Sequence, residues 1–381
     1  MKPTVAEEYL KNPRLFHNKR ILVAGDIALD RTFLCDPAPA GRHAVHAGEA
    51  ILDVRPGGDD FGTIGAAYNA CILSAAVGAQ CMLVTATGDD PEGDRVAEVL
   101  AAGGTPARQI RLRGMQTVTR LRFFAGDAGP GRFRLVLRTD KDPDSDLSHL
   151  RAEEEVCTPT FLDWWEQEAE RSDAILFSDT DKGFLSHRVL VALNERTLRA
   201  SARRVERGER PLLVIVDPKR AWEKYVGLKV DVFKPNDAEA AGAVGLPRRD
   251  WRVDVNLELL VGRLTERYGR HFPCIVITLG EHGAAMVVAG DPGPGILRYP
   301  GVSARTPWAG IAMHCGDMFA SALALALCVD SDPASAIPFA NYVASLQVSK
   351  PVGQKITAGD LTDPLNRDHF RSSCQPPRRL A

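Results

Sequence analysis

The sequence predicts an α/β fold: a mostly parallel central sheet covered on both faces by helices, with a small β lid. Three observations lead there. Short apolar, β-rich runs recur at residues 21–24 (ILVA), 81–85, 174–177, 212–216, 230–233 and 274–278. Helix-length segments lie between or after them at 65–77, 91–102, 186–198, 237–244, 255–268, 317–328 and 333–349. Strands that alternate with helices pair in parallel, and a parallel sheet must be covered on both faces. Finally, two β-like stretches, 117–124 and 132–138, interrupt the rhythm and alternate basic with apolar residues, so one of their faces is open to solvent or ligand.

In chain order, residues 21–24 read as a buried strand that ends in Gly25-Asp26. Residues 31–56 carry several Pro, Gly and His and form an excursion from the sheet. The segment 65–77 is small and Ala-rich, which suits a tightly packed helix. The lid is drawn from roughly 31–56 and 115–140, within one α/β domain over 1–362. Residues 363–381 are polar, contain Pro376-Pro377-Arg378-Arg379, and read as a loose tail. Because apolar strands run into polar loops, the expected site lies at the strands' C-terminal ends.

Composition narrows the function classes. The 381 residues carry a net charge of −2, with 45% hydrophobic and 25% charged residues. No global basic field points to nucleic acid or an anionic membrane. The longest apolar stretch, 318–329, is too short to span a bilayer, and the N-terminus lacks the apolar core of a signal peptide. Eight cysteines are scattered without a C-x-x-C pair, so zinc-ribbon spacing is missing. They read as reduced thiols of a cytoplasmic protein.

The strongest chemical signal is His314-Cys315-Gly316-Asp317, which opens the helix over 317–328. A Gly ahead of a helix lets a ligand approach the backbone, and the free N–H groups of the first turn make an anion site. A carboxylate in the same turn can take a proton from a hydroxyl facing that anion, which is what phosphoryl transfer to an alcohol requires. The plainer reading makes Asp317 an N-cap. Lys234-Pro235-Asn236-Asp237-Ala238-Glu239 follows a strand and opens a helix, with Asn236 and Glu239 at capping-box spacing. The same pair can orient water bound to Mg2+. Thr278-Leu279-Gly280-Glu281-His282-Gly283 permits a tight turn beside phosphate or ribose, as it would permit a plain hairpin. Asp217-Pro218-Lys219 and Ser178-Asp179-Thr180-Asp181-Lys182-Gly183 leave charges at strand ends. There is no G-x-x-x-x-G-K-[ST], no G-x-S-x-G and no H-E-x-x-H. The glycines at 126–131 lie between lid strands, so they fail the context of a dinucleotide fingerprint.

Taken in order, these motifs resemble the ribokinase-like (PfkB) carbohydrate kinases over nearly the whole chain, and most of all the heptose-phosphate kinase half of the bifunctional heptose kinase/adenylyltransferases. Gly25-Asp26-Ile27-Ala28-Leu29-Asp30 is similar to G-D-x-x-L-D. Gly65-Ala66-Ala67-Tyr68-Asn69 is similar to G-G-A-A-N, and Thr117 to Arg122 to T-x-T-K-x-R. Ser178-Asp179 with Lys182-Gly183 resembles S-D-Y-x-K-G. Residues 217–219, 234–239 and 278–283 resemble D-P-K, K-P-N-x-x-E and T-x-G-x-x-G, and the end, Ala340-Asn341 through Lys350 and Gly353, resembles A-N…V-V-x-K-x-G.

The resemblance implies a three-layer α/β/α fold, ATP and Mg2+ as cofactors, and a sugar or sugar phosphate as acceptor. It implies that Asp317 is the base and that His314, Cys315 and Gly316 form the anion hole. Asp30, Gly65, Ala66, Asn69, Arg120, Arg122, Asp179 and Lys182 would face the sugar. Lys219, Lys234, Asn236, Glu239, Thr278, Gly280, Gly283 and Asn341 would serve the nucleotide, with Asn236 and Glu239 on the metal through water. Arg120 and Arg122 occupy alternate positions of one strand, so both would read a phosphate on the substrate. Two departures stand out: the family's G-A-G-D is His-Cys-Gly-Asp here, and the second Gly of the sugar-side pair is Ala66. Only Gly freely adopts positive φ, so the turn at His314 is in question. The competing readings are a nucleoside or other small-alcohol kinase and a catalytically silent sugar- or nucleotide-binding homologue. Exposed lid edges suggest a homodimer, and no nucleotidyltransferase domain is expected after residue 360.

Overall fold

Alternate side chains of the first central strand reach two separate cores. In the computed structural model, which describes residues 3–37, 52–54, 63–126, 133–247, 249–251, 253–288, 295–304, 313–351 and 354–380, that strand is β1 (Arg20–Gly25). Ile21 and Val23 pack into the core on one face and Leu22 and Ala24 into the core on the other. A two-residue period with both faces apolar is what a doubly covered strand requires.

The remaining strands are β2 (Ile27–Pro37), β3 (Leu52–Val54), β4 (Thr63–Ala66), β5 (Gln80–Gly88), β6 (Ala107–Leu112), β7 (Thr119–Gly126), β8 (Phe133–Lys141), β9 (Ala174–Asp179), β10 (Leu213–Pro218), β11 (Val232–Phe233), β12 (Cys274–Thr278), β13 (Ala284–Val288), β14 (Gly295–Tyr299) and β15 (Arg378–Arg379). The helices are α1 (Val5–Lys11), α2 (Tyr68–Val77), α3 (Pro91–Ala102), α4 (Ser145–Val156), α5 (Pro159–Glu170), α6 (His187–Glu206), α7 (Asp237–Ala243), α8 (Asp254–Tyr268), α9 (Cys315–Val329), α10 (Pro333–Val348), α11 (Ala358–Thr362) and α12 (Pro364–Ser373).

The main sheet has the order β15-β14-β13-β12-β11-β10-β9-β1-β5-β6. From β12 to β6 every pairing is parallel, with Val23 of β1 opposite both Leu83 and Leu176. Antiparallel pairings add β13, β14 and β15 at one edge. Helices α1, α2, α9 and α10 bury one face, and α4, α5, α6, α7 and α8 the other. Helix α9 is apolar all round and rich in Ala, which suits its place between the sheet and α10. The three-layer α/β/α expectation holds. Among the described residues no helix is long and apolar enough to cross a membrane.

Only Asp26 separates β1 from β2, so the chain passes directly from the main sheet into a second, five-stranded one. There β2 pairs in parallel with β7 and antiparallel with β3 and β4, and β8 continues from β7. This sheet takes in residues 31–37 and 52–54 of the first predicted lid segment and 119–126 and 133–140 of the second; residues 38–51, 55–56 and 127–132 lie outside the described residues, as does Gly353.

Two expectations need correction. Residues 65–66 belong to β4, and the helix begins only at Tyr68, because Ala66 takes a left-handed φ of 53° that breaks helical continuity. The segment after Asp363 is not loose: it forms α12 and β15. Phe370 and Leu380 are buried, and Arg378 ion-pairs with Asp254 at 2.8 Å. Two apolar anchors and one ion pair hold a stretch whose polarity alone suggests solvent.

Candidate active site

The site is built where the second sheet meets the N-terminus of α9. His314 precedes the helix with φ 62°, and no side chain caps this end. The first-turn N–H groups of Cys315, Gly316 and Asp317 are therefore not taken by a side-chain cap, which leaves them suited to an anion. A Cβ on Gly316 would meet nothing within 4 Å, so space opens beside that turn. Asp317 is not the N-cap; it is the third residue of the helix.

The two departures from glycine keep the glycine-like backbone. His314 and Ala66 both hold positive φ, 62° and 53°. A side-chain-bearing residue in this region costs roughly 1–2 kcal/mol, so neighbouring contacts hold both turns in place.

Asn69, fully buried on the first turn of α2, donates from Nδ2 to Oδ2 of Asp317 at 2.7 Å. The His314 imidazole lies between two carboxylates, with Nδ1 3.5 Å from Asp317 Oδ2 and Nε2 3.6 Å from Asp30 Oδ2. Gly65 makes room for this arrangement, since a Cβ there would sit 2.4 Å from Asp30 Oδ2 and 2.9 Å from the His314 ring. Burial lowers the His314 pKa, and the charge of Lys355 adds to the effect. Burial alone would raise the Asp317 pKa. The His314 contact and the charges of Lys355 and Lys234 outweigh it and hold the carboxyl below its usual range.

Several polar atoms here are enclosed without a hydrogen-bond partner: Asp30 Oδ2, Asn69 Oδ1, His314 Nε2 and Lys355 Nζ. Buried polar groups in folded proteins are nearly always satisfied. Such unpartnered polar atoms on neighbouring residues mark a candidate ligand site.

The sugar-side residues divide into two sets. Asp30, Gly65, Ala66 and Asn69 come together with His314 and Asp317. Arg122 joins them, but not as a free cation: its Nη1 binds Asp30 Oδ1 at 2.5 Å, and both groups are buried. The anion that Arg122 meets is the protein's own. Arg120 stands opposite Asp140 on β8, its Nε without a partner. Asp179 is buried and committed to Tyr225 and Lys224, each at 2.6 Å, and Lys182 pairs with Asp142 at 2.5 Å. These pairings brace the loop that follows β9. The bracing centre is Asp26, which accepts backbone N–H groups of Thr180 at 2.8 Å and Lys182 at 3.2 Å.

A second group lies across the strand ends. Thr278 donates its backbone N–H to the Pro235 carbonyl at 3.0 Å and forms a one-residue parallel bridge with Asn236, so the two loops are neighbours. Asn236 and Glu239 form the capping box: Glu239 Oε2 accepts the Asn236 N–H, and Asn236 Oδ1 accepts the Glu239 N–H, each at 2.8 Å. A cleft of about 690 Å³ runs along Lys219, Arg220, Asn236 and Glu239. Buried Lys234 pairs with Asp217 at 2.9 Å. Burial raises Asp217 to about 7, and the nearby charges of Glu239 and Asp317 add to the rise. Burial raises Glu239 as well. Gly280 and Gly283 both hold positive φ, and a Cβ on Gly283 would strike the Tyr299 carbonyl. Asn341 donates to the Pro300 carbonyl at 3.3 Å, which ties α10 to the end of β14.

Lys355 carries no motif in the sequence. A lone Lys in a polar loop looks solvated, and only the folded chain brings it to Asp317.

Residues 53–357 match the pfkB family carbohydrate kinase profile. The bifunctional protein HldE of Pseudomonas paraeruginosa is 28% identical over 368 residues, covering 94% of this chain and 66% of that protein. HldE of Aeromonas hydrophila is 28% identical over 342 residues, covering 88% and 61%. The chain thus spans about two thirds or less of these relatives. Among solved structures, a ribokinase from Giardia lamblia aligns with TM-score 0.62 at 17% identity, covering 93% of this chain and 99% of that one. Arabidopsis thaliana ribokinase complexed with ribose and ATP aligns with TM-score 0.59 at 15% identity, covering 93% and 98%. Phosphofructokinase-2 from Escherichia coli in complex with fructose-6-phosphate aligns with TM-score 0.59 at 13% identity, covering 93% and 99%. With its profile match over most of its length and its ribokinase-like architecture, the chain belongs to the pfkB family of carbohydrate kinases.

Proposed function

We propose that this carbohydrate kinase moves the γ-phosphoryl group of ATP to a hydroxyl of a sugar phosphate, with Asp317 as the general base. The observation that carries the reading is the placement of Asp317. It is an ionised carboxylate, oriented by Asn69 at 2.7 Å, in an uncapped helix turn beside open space. Sugar hydroxyls would satisfy Asp30 Oδ2 and Asn69 Oδ1 and bring the acceptor hydroxyl to Asp317. Asp317 takes the hydroxyl proton as the new O–P bond forms and the bond from the γ-phosphorus to the ADP oxygen breaks. The N–H groups of Cys315 and Gly316 face the charge on the transferring group. The likeness to heptose-phosphate kinases makes the anomeric hydroxyl of a heptose phosphate the first acceptor to try.

On the nucleotide side, Lys219, Lys234, Asn236, Glu239 and Thr278, with the glycines at 280 and 283, would hold ATP. Among the described residues no three His, Cys, Asp or Glu side chains form a direct metal cage. Asn236 and Glu239, paired through the capping box at the edge of the cleft, would act on a divalent cation through water. Bound there, Mg2+ would neutralise phosphate charge. Cys71 and Cys81 face each other as thiols at 3.1 Å, in keeping with a reducing, cytoplasmic setting.

The experiment is ADP release across a panel of sugars and sugar phosphates, with and without excess chelator. ADP formed with a heptose phosphate, and suppressed by chelator, is the expected result. ATP binding without ADP formation on any acceptor would sink the proposal and favour a silent homologue.

A further inference from the structure

Lys355 is held as deliberately as any residue of the site. It lies in the loop between α10 and α11, and the side chain of Gln347 on α10 straddles it. The Gln347 Nε2 donates to the Gln354 carbonyl at 3.0 Å, and its Oε1 accepts the Ile356 N–H at 3.3 Å. Gln347 and Ile356 are both buried. The backbone is thus clamped on each side of Lys355, and the ammonium is enclosed without a hydrogen bond. The charged and titratable groups it senses are Asp317, Asp30, Arg122, His314 and Cys315. An ammonium has three donors, and here none of them is used, so an empty donor set beside the base points to a ligand anion.

Which anion follows from the neighbours. Asp30 already has Arg122 on one oxygen, whereas among the described residues only the His314 imidazole lies within ion-pair distance of Asp317. Cys315, whose N–H opens α9, is also a neighbour of Lys355. The groups around Lys355 are therefore those that surround the reacting hydroxyl and the incoming phosphoryl. Resting on the kinase reading above, we propose that Lys355 is a catalytic residue that binds the phosphoryl group in transit between ATP and the sugar. It keeps its own proton throughout. The hydroxyl proton goes to Asp317, the sugar O–P bond forms, the bond to the ADP oxygen breaks, and Lys355 faces the oxygens of the transferring group, where the charge lies.

The test uses Lys355→Met and Lys355→Arg in the full chain, with ADP plus orthovanadate as the probe of the transferring group. Lys355→Met should lower kcat about 10²–10³-fold with both KM values within about threefold, the scale expected for losing one transition-state contact. Its affinity for vanadate in the presence of ADP should fall about tenfold or more, with ADP binding unchanged. Lys355→Arg should recover part of both. Burial brings the Lys355 ammonium down to about 8, so wild-type kcat should decline on the alkaline side near that pH, and Lys355→Arg should move the decline upward. Unchanged kcat and vanadate affinity in Lys355→Met overturn the proposal. So does a higher KM for the sugar phosphate at constant kcat, which would make Lys355 a reader of the substrate's own phosphate. Loss of ADP binding together with a lower Tm would make it structural. If the wild type releases no ADP with any acceptor, the kinase reading fails, and the vanadate titration still decides Lys355.

Discussion

Asn69 and Asp317 come from helices far apart in sequence and meet through one hydrogen bond of 2.7 Å, Asn69 Nδ2 donating to Asp317 Oδ2. The bond fixes which oxygen of the carboxylate remains for a substrate hydroxyl. Asn69→Ala should lower kcat about tenfold to a hundredfold, because a misplaced base loses much of its advantage. The fall should exceed any change in KM for ATP, as steady-state kinetics of the variant will read.

Arg122 and Asp30 form a buried pair. Removing one partner of such a pair strands the other and costs about 3–5 kcal/mol. Arg122→Ala should therefore lower the denaturation midpoint strongly, whereas Arg120→Ala should cost about 1 kcal/mol or less. Chemical denaturation of both variants compares them. Equal, small effects would mean that the pair is not formed in solution.

His314 holds a left-handed φ of 62°. His314→Ala and His314→Gly both remove the imidazole, but only Gly relieves the backbone. The Gly variant should be more stable than the Ala variant by about 1 kcal/mol, read as a difference between two unfolding curves. Identical curves would show that the turn relaxes without strain.

Strand β8 lies at an edge of the second sheet and exposes Leu135, Val136 and Leu137, each 39–48% accessible. An apolar edge strand invites pairing with a second copy. Light scattering should give a dimer that Leu137→Asp converts to monomer. A wild-type monomer at all concentrations would remove this reading of the lid.

Much of the architecture is legible in the sequence because both faces of the central strands are apolar: runs such as 21–24 and 174–177 need no tertiary information. The site's helix turn is legible in part: Gly316-Asp317 at the start of an Ala-rich helix reads as an anion site with a base or as a plain N-cap, and only the fold, with Asp317 inside the first turn, separates the two. Other features depend on what folding brings close. Arg122 looks like a ligand reader until Asp30 is seen across the strand pair. Nothing along the chain shows that Asp179 pairs with Tyr225 and Lys224, or Lys182 with Asp142. Residues 364–380 look like a tail because Phe370 and Leu380 are too few to make a period. Lys355 is invisible in sequence for the same reason: its meaning lies in Gln347 and Asp317, not in its neighbours along the chain.

The central claim is that Asp317 activates the acceptor hydroxyl, and Asp317→Asn tests it most directly. The amide keeps the size of the carboxylate and can still bond Asn69 through its oxygen. ATP affinity, measured by calorimetry, should stay within about threefold of wild type, while kcat for the best acceptor should fall about 10²–10⁴-fold or more. Turnover at the wild-type rate in that variant would contradict the account.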